Sequence, residues 1–330
     1  MADAAKKYQD LLDFFDNLLV LEGITSNEYV SLEGGELEPV LDKVSLTARR
    51  GEVWAVHSRS PFPVKLLLEI ASNLSPPADG QRNWLQQDVP RKHRLPRSIY
   101  YIDKTGVLYP YMNSLEAIMF ATRKRKEGVV VRQNQIFETL IGMGLGHLSL
   151  TPISKLSDQE EAFIQLLIAS YSSKPLIIFN LPEYSFDEIL LEAMTFLSNK
   201  LNKENRTLIL GSTDPLLIEH AVSHAACLVD GSLAFEGRVE QLLEYDRTLL
   251  TIRDDDVDAI KDKMMALYPY LQYQVDGDHL SISEDAASSY DPYVIQETMI
   301  REGIQPRQVT VSQKTVQSAL EAIGASHDLP

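Results

Sequence analysis

The stretch from Gly51 to Ser72, GEVWAVHSRSPFPVKLLLEIAS, reads as a buried strand, a short loop and a helix. In that setting a chain can cradle a phosphate group. The chemistry needs glycines that let the backbone wrap the phosphate, inward-facing N–H groups, a lysine ammonium, and a Ser or Thr hydroxyl for Mg²⁺. Here the loop is His57-Ser58-Arg59-Ser60-Pro61-Phe62-Pro63-Val64, without a glycine. Pro61 and Pro63 have no N–H to donate, and Val64 stands where a hydroxyl is wanted. Phe62 and Arg59 are large enough to fill the groove themselves. Lys65, two residues into the following helix and on a different face, is a poor replacement for the missing lysine.

Other clusters carry weaker signals. His220, His224 and Cys227 are spaced four and three apart and would share a face on one continuous helix, where they could ligate zinc. However, Cys227-Leu228-Val229 leads into Asp230-Gly231, a hairpin signal, so a buried thiol in a strand is expected instead. Asp254 to Asp256 could attract a cation, but they also suit a solvated turn at a helix N-terminus. Asp103, Asp158, Glu160 and Glu161 form no paired-carboxylate pattern.

The elements that position these residues are legible from periodicity. Tyr8, Leu11, Leu12 and Phe15 fall at helical spacing among acidic residues, predicting a short amphipathic helix over 1–17. An apolar strand follows at Leu18 to Leu21, then VLDKVSLTARRGE with the alternation of an antiparallel sheet. Asn113 with Glu116 predicts an N-cap and its reciprocal partner. Arg123 to Glu127 is a basic patch that suits a helix C-terminal end or an acidic partner surface. Gln133 to Leu145 predicts another helix, closed by Gly142, Gly144 and Gly146. From about residue 248 the pattern changes to strand, helix (Val257 to Leu267), two strands joined at Asp276-Gly277-Asp278, helix (Pro292 to Glu302), strand, and a last helix at Lys314 to Ile323. That β-α-β-β-α-β order is ferredoxin-like.

Residues 155–187, KLSDQEEAFIQLLIASYSSKPLIIFNLPEYSFD, resemble the signature helix, second acidic strand and following loop of ABC-transporter nucleotide-binding subunits. Leu156 and Ser157 open the signature, Leu176 to Phe179 form the apolar strand, Pro182 holds the proline position and Asp187 closes the loop. Leu108-Tyr109-Pro110 is similar to the segment after the glutamine loop, Thr207 to Pro215 to the switch strand, and Cys227 to Gly237 to the final hairpin. The small C-terminal unit resembles the appendage of exporter-type (ABC-2) ATPase subunits. The resemblance covers about residues 18–245 and implies an α/β ABC-type P-loop nucleotide-binding-domain fold with a helical subdomain. Its boundaries are expected as an N-terminal helix (1–17), a degenerate nucleotide-binding domain (18–247) and a ferredoxin-like domain (248–330).

Against that family, the substitutions share one direction. The resemblance places the phosphate-gripping lysine at Pro63, the Mg²⁺ hydroxyl at Val64 and the glutamine near Lys104. Asp158 and Gln159 replace the signature glycines. Asn180 replaces the Mg²⁺-linked aspartate, Leu181 the catalytic glutamate and Thr213 the switch histidine. His57, Ser60 and Phe62 complete the degenerate positions, and Tyr29 lies near the adenine-stacking position. Phosphoryl transfer rests on positioning and electrostatic stabilisation by the very groups replaced here. The resemblance therefore implies a pseudo-ATPase subunit with no catalytic residue and no cofactor of its own, any ATP and Mg²⁺ being bound by a partner. Its partners would be an ABC ATPase homologue or a second copy, and the polytopic membrane subunits of an exporter, met through the helical subdomain. An adaptor outside transport, or an ATPase binding nucleotide through Lys65 or Arg59, are the alternatives.

Composition fits this reading. The 330 residues, 44% hydrophobic, are enough for two domains with full cores. A net charge of −16 and a pI near 4.9 argue against nucleic acid and anionic lipid as partners. No run approaches the roughly 20 apolar residues of a bilayer span, and the start MADAAKKYQD lacks the apolar stretch of a secretory signal. The single cysteine, Cys227, excludes an internal disulfide and suits a reducing cytosol. We expect a cytoplasmic protein held at the membrane through partner subunits.

Overall fold

The computed structural model describes residues 16–31, 37–84, 94–105, 108–284 and 290–327. The N-terminal helix expected over 1–17 lies almost wholly outside the described residues. The chain divides into two compact units, one ending at Val239 and the other spanning Glu240–Asp328.

The strands of the first unit, in chain order, are β1 (Asn17–Thr25), β2 (Tyr29–Ser31), β3 (Leu37–Pro39), β4 (Val44–Arg49), β5 (Val53–His57), β6 (Asp79–Trp84), β7 (Ile99–Ile102), β8 (Leu176–Phe179), β9 (Thr207–Ser212), β10 (His224–Val229) and β11 (Ser232–Arg238). Its helices are α1 (Pro61–Ala71), α2 (Ser114–Ala121), α3 (Val129–Gly142), α4 (Asp158–Ser170), α5 (Glu188–Lys203) and α6 (Pro215–Ala221). A six-stranded sheet in the order β11-β10-β5-β9-β8-β7 forms the centre. Its pairings are parallel except for the β10–β11 hairpin. That hairpin turns at Asp230 and Gly231, both at positive φ (47° and 78°), the conformation a tight two-residue turn requires.

The central strands β5, β8 and β9 are buried along their whole length. Parallel strands covered on both faces read as unbroken apolar runs for this reason. Ile177 and Phe179 join the cluster built on Phe163, Leu167 and Leu197, whereas Leu176 and Ile178 join the one built on Leu19, Leu67 and Ile70. Two cores therefore lie on opposite faces of one sheet. A separate antiparallel sheet, β4-β1-β6, alternates buried and exposed residues along β4.

Between β7 and β8 the chain is helical. Both capping boxes in this stretch are complete: Asn113 with Glu116 opens α2, and Ser157 with Glu160 opens α4. The helix expected at Gln133 to Leu145 begins earlier, at Val129, and ends at Gly142. Gly144, at φ 75°, turns the chain out of it and into a short 3₁₀ turn at Gly146–Leu150.

The second unit contains β12 (Thr248–Arg253), α7 (Val257–Leu267), β13 (Gln272–Asp276), β14 (His279–Ser283), α8 (Pro292–Arg301), β15 (Gln308–Val311) and α9 (Val316–His327). Its antiparallel sheet runs β13-β14-β12-β15. The chain order β-α-β-β-α-β with this strand order is a split β-α-β arrangement. Its own core gathers Leu250, Ile252, Met264, Leu280, Ile282 and Met299. Asp254 to Asp256 form a structural turn. Asp256 caps α7 by accepting from the Ala259 N–H, Asp254 accepts from the N–H groups of Asp256 and Arg307, and Asp255 pairs with the Arg307 guanidinium.

Candidate nucleotide site

Strand β5 delivers His57 and Ser58 to the end of the central sheet, and α1 begins at Pro61. Pro61 at the first helical position suits a residue whose missing N–H would have had no helical partner. Ser60 is the N-cap in extended backbone, but its side chain makes no capping hydrogen bond. The loop is therefore shorter than expected. Pro63, Val64 and Lys65 already belong to the helix, with Lys65 its fifth residue rather than its second.

Across from α1, β8 ends at Phe179 and Asn180 follows, only 1% exposed. The Asn180 amide donates to the Lys65 carbonyl at 3.0 Å and to the Tyr101 hydroxyl at 2.8 Å. Its N–H donates to the Ile102 carbonyl. In an intact site the loop hydroxyl and the second acidic residue meet on Mg²⁺. The residue whose main-chain carbonyl meets Asn180 is Lys65; counted back from that contact, an eight-residue phosphate pattern would run from Ser58 to Lys65. On that count Val64 would stand at the ammonium position and Lys65 at the hydroxyl position, one residue later than the sequence alone leads one to expect.

Val64 is completely buried. It packs where strand β9 carries Gly211, so closely that a Cβ on Gly211 would lie 3.0 Å from Val64 Cγ1 and 2.9 Å from Leu68 Cδ1. On the same count, a core-packed isopropyl group would stand where the ammonium is wanted. Leu181 is 2% exposed and belongs to the other core cluster, the one built on Phe163, Leu167 and Leu197. The residues suggested for filling the groove do not do so. Phe62, in the first turn of α1, is 49% exposed, and Arg59, in the loop before the Ser60 N-cap, is also exposed.

The remaining positions have protein partners. Thr213 donates its N–H and its hydroxyl to the Pro182 carbonyl, at 3.0 and 2.9 Å. Asp187 caps α5 by accepting from the Leu190 N–H. The Ser157 hydroxyl accepts from the Glu160 N–H, while the Glu160 carboxylate accepts from both the N–H and the hydroxyl of Ser157. Asp158 is exposed beside it, in the first turn of α4. Tyr29, 57% exposed, sits on the separate β2–β3 hairpin.

Lys104 makes a 2.6 Å ion pair with Glu183, and its ammonium stands 5.2 Å above the Tyr184 ring. The Glu183 hydrogen bond raises the Lys104 pKa. Partial burial pushes the Glu183 carboxyl up, but the Lys104 hydrogen bond and charge outweigh it and the net shift is downward. Glu183, two residues beyond Leu181, belongs to no motif. Tyr101 was likewise invisible among the apolar residues of β7. Ser157-x-x-Glu160 could have been read as a capping box, since its pattern was complete in the sequence.

His57 is buried, and its Nδ1 has no hydrogen-bond partner among the described residues. Burial lowers its pKa to about 4, the Ser212 main chain opposing this and Arg59 adding to it. A neutral imidazole with an orphaned nitrogen is a structural filler at neutral pH.

His220, His224 and Cys227 do not share a helix, because α6 ends at Ala221 and His224 opens β10. His224 stacks on Trp54 at 4.8 Å, and burial pushes the Cys227 thiol up to about 12. Among the described residues no three His, Cys, Asp or Glu side chains group as metal ligands. No helix among them is long and apolar enough to cross a membrane.

No family model matches the chain, and no curated protein matches it. Solved structures do. A nucleotide-free ATP-binding cassette from an ABC transporter superposes with a TM-score of 0.52 at 14% identity, covering 69% of this chain and 95% of that one. An ATP-binding cassette solved as a dimer in a post-hydrolysis state with ADP and Pi gives 0.51 at 18%, covering 67% and 99%. CbiO1 of Clostridium perfringens, part of the ABC transporter complex cbiONQ, gives 0.51 at 15%, covering 77% and 96%. Identities this low speak to architecture alone, and the architecture is plain: this chain has the fold of an ATP-binding cassette.

Proposed function

We propose that this chain is a pseudo-ATPase: an ATP-binding-cassette subunit that serves an ABC transporter complex as a structural or regulatory part and does not hydrolyse ATP. One observation carries the reading. The positions that would grip phosphate, hold metal and activate water are Val64, Asn180 and Leu181, all buried and already committed to the protein's own packing. In this role the chain pairs with an ATPase-competent homologue or with a second copy, and the partner supplies the energy. Both ATP and Mg²⁺ are then the partner's ligands.

The docking face toward membrane subunits lies in the helical subdomain. Tyr109, Tyr111 and Phe120 are 44%, 76% and 41% exposed. They form one aromatic cluster, Tyr109 lying 5.7 Å from Tyr111 and 5.6 Å from Phe120. Arg123 covers the Phe120 ring at 4.2 Å. A cluster of exposed rings with a guanidinium at its edge is the composition of an interface core.

Titration of the purified protein with Mg-ATP tests the inactive site, and no saturable binding at micromolar concentration is expected. Low-micromolar binding abolished by Lys65→Ala would instead establish a non-standard nucleotide mode. Co-purification from solubilised membranes tests the transporter role. Recovery of multi-span proteins supports it, and recovery of soluble partners alone would make the chain an adaptor outside transport.

A further inference from the structure

Away from the nucleotide positions, a cavity of about 620 Å³ opens between the ends of α4 and α5, the body of α3 and the segment after α2. Three cations line it, Arg125, Lys200 and Arg206, against two carboxylates, Glu138 and Glu204, a net positive lining in a protein whose net charge is −16. One of them is fully engaged. Arg206 donates to the carbonyls of Ala169, Ser170 and Lys174 and to the Ser172 hydroxyl, closing the C-terminal end of α4. It also faces the Glu204 carboxylate at 3.7 Å.

The other two cations are differently placed. The Lys200 ammonium makes no hydrogen bond or ion pair among the described residues and rests 4.8 Å from the centre of the Tyr171 ring. Arg125 lies 5.5 Å from the same ring, with Glu127 3.4 Å away. Tyr171 is fixed by its hydroxyl, which donates to Thr139. The Ser172 hydroxyl accepts from the Lys174 N–H and from Arg206, so its own proton remains available as a donor. Partial burial lowers the Lys200 pKa; Glu204 opposes this, and the two guanidiniums add to it. A half-buried ammonium held beside a guanidinium is electrostatically costly unless an anion lies between them.

We propose that this cavity binds a phosphoryl group, the terminal phosphate of a small metabolite, clamped between Arg125 and Lys200 and receiving a hydrogen bond from Ser172. A dianion would neutralise Lys200 and compete with the solvent-exposed Glu127, whose surface ion pair with Arg125 is weak, and Tyr171 offers an aromatic wall to whatever the phosphate is attached to. The site is separate from the nucleotide positions and does not depend on the chain's role in transport.

Isothermal titration with inorganic phosphate and with phenyl phosphate, at constant ionic strength set by chloride, tests the site. Saturable binding is expected, with phenyl phosphate the tighter of the two. Lys200→Met keeps the aliphatic stem, and Arg125→Gln alters an exposed residue, so both variants fold. Each should weaken binding about tenfold or more, the loss of one charge-assisted hydrogen bond. Lys203→Met, in the same helical turn but outside the cavity, should leave it unchanged. Absence of saturable binding, equal affinity in Lys200→Met and Arg125→Gln, or an equal loss in Lys203→Met would overturn the proposal.

Discussion

Asn180 donates its side-chain amide to the main-chain carbonyl of Lys65 at 3.0 Å, tying the end of β8 to α1 where a metal ion joins the two in an intact site. A neutral amide suits this contact because it donates twice, to Lys65 and to Tyr101. A carboxylate would meet the Lys65 carbonyl with like partial charge and, at 1% exposure, would be buried without a cation.

Asn180→Asp is therefore expected to destabilise the first unit by about 3 kcal/mol, the order of cost for burying a charge against an acceptor. Urea unfolding at pH 7 measures it. Asn180→Asp combined with Leu181→Glu should still lack ATPase activity, because Val64 and the two loop prolines remain. Measurable ATP turnover by that double variant would contradict the pseudo-ATPase reading.

His57 gives the protein an acid sensitivity whose sign is fixed by its environment. Its pKa is lowered from 6.5 to about 4 in the folded state, so between those values the unfolded chain binds the proton first. Stability from this group is complete above pH 6.5 and declines as pH falls toward 4, by about 3 kcal/mol in total. His57→Leu removes the titrating group. The stability of His57→Leu relative to the unsubstituted protein should rise as pH falls from 7 to 4.5, and a pH-independent difference would show that His57 is not buried neutral.

Much of the fold was legible because its signals are local. The apolar runs of β8 and β9, the Asn113–Glu116 box and the Val257–Leu267 helix were readable from residue type and spacing, and each is present. The expectation of a substituted site comes from residue type too, since the loop from His57 to Val64 contains no glycine. What could not be read was contact made in three dimensions. Tyr101 and Lys65 lie 79 and 115 residues before Asn180, and nothing in either stretch signals the meeting. The Lys104–Glu183 pair joins two loops in the same manner. A loop without glycines offers no landmark for its register, and the Asn180–Lys65 contact is visible only in three dimensions.

Gly211 offers a direct test of how Val64 is packed. In Gly211→Ala the new methyl would sit 2.9 Å from Leu68 and 3.0 Å from Val64, too close without a shift of both side chains. Overpacking of this kind costs about 1–3 kcal/mol. Val64→Ala opens space on one side of that methyl, so the double variant should be more stable than the sum of the two losses predicts, by about 1 kcal/mol. Thermal unfolding of the four proteins completes the cycle, and strict additivity would place Val64 away from Gly211.

The aromatic cluster at Tyr109, Tyr111 and Phe120 separates a docking role from a folding role, because Tyr111 is 76% exposed and so contributes little to the core. Tyr111→Glu should leave the unfolding free energy within about 0.5 kcal/mol of the starting protein, as surface substitutions do. In a transporter complex the same change puts a desolvated carboxylate into an interface centre, where loss of an aromatic anchor costs about 2 kcal/mol or more. Recovery of multi-span partners from solubilised membranes should then fall at least tenfold, and Arg123→Glu, at the edge of the same cluster, should weaken it less. Undiminished recovery with both variants would move the membrane contact to another face of the molecule.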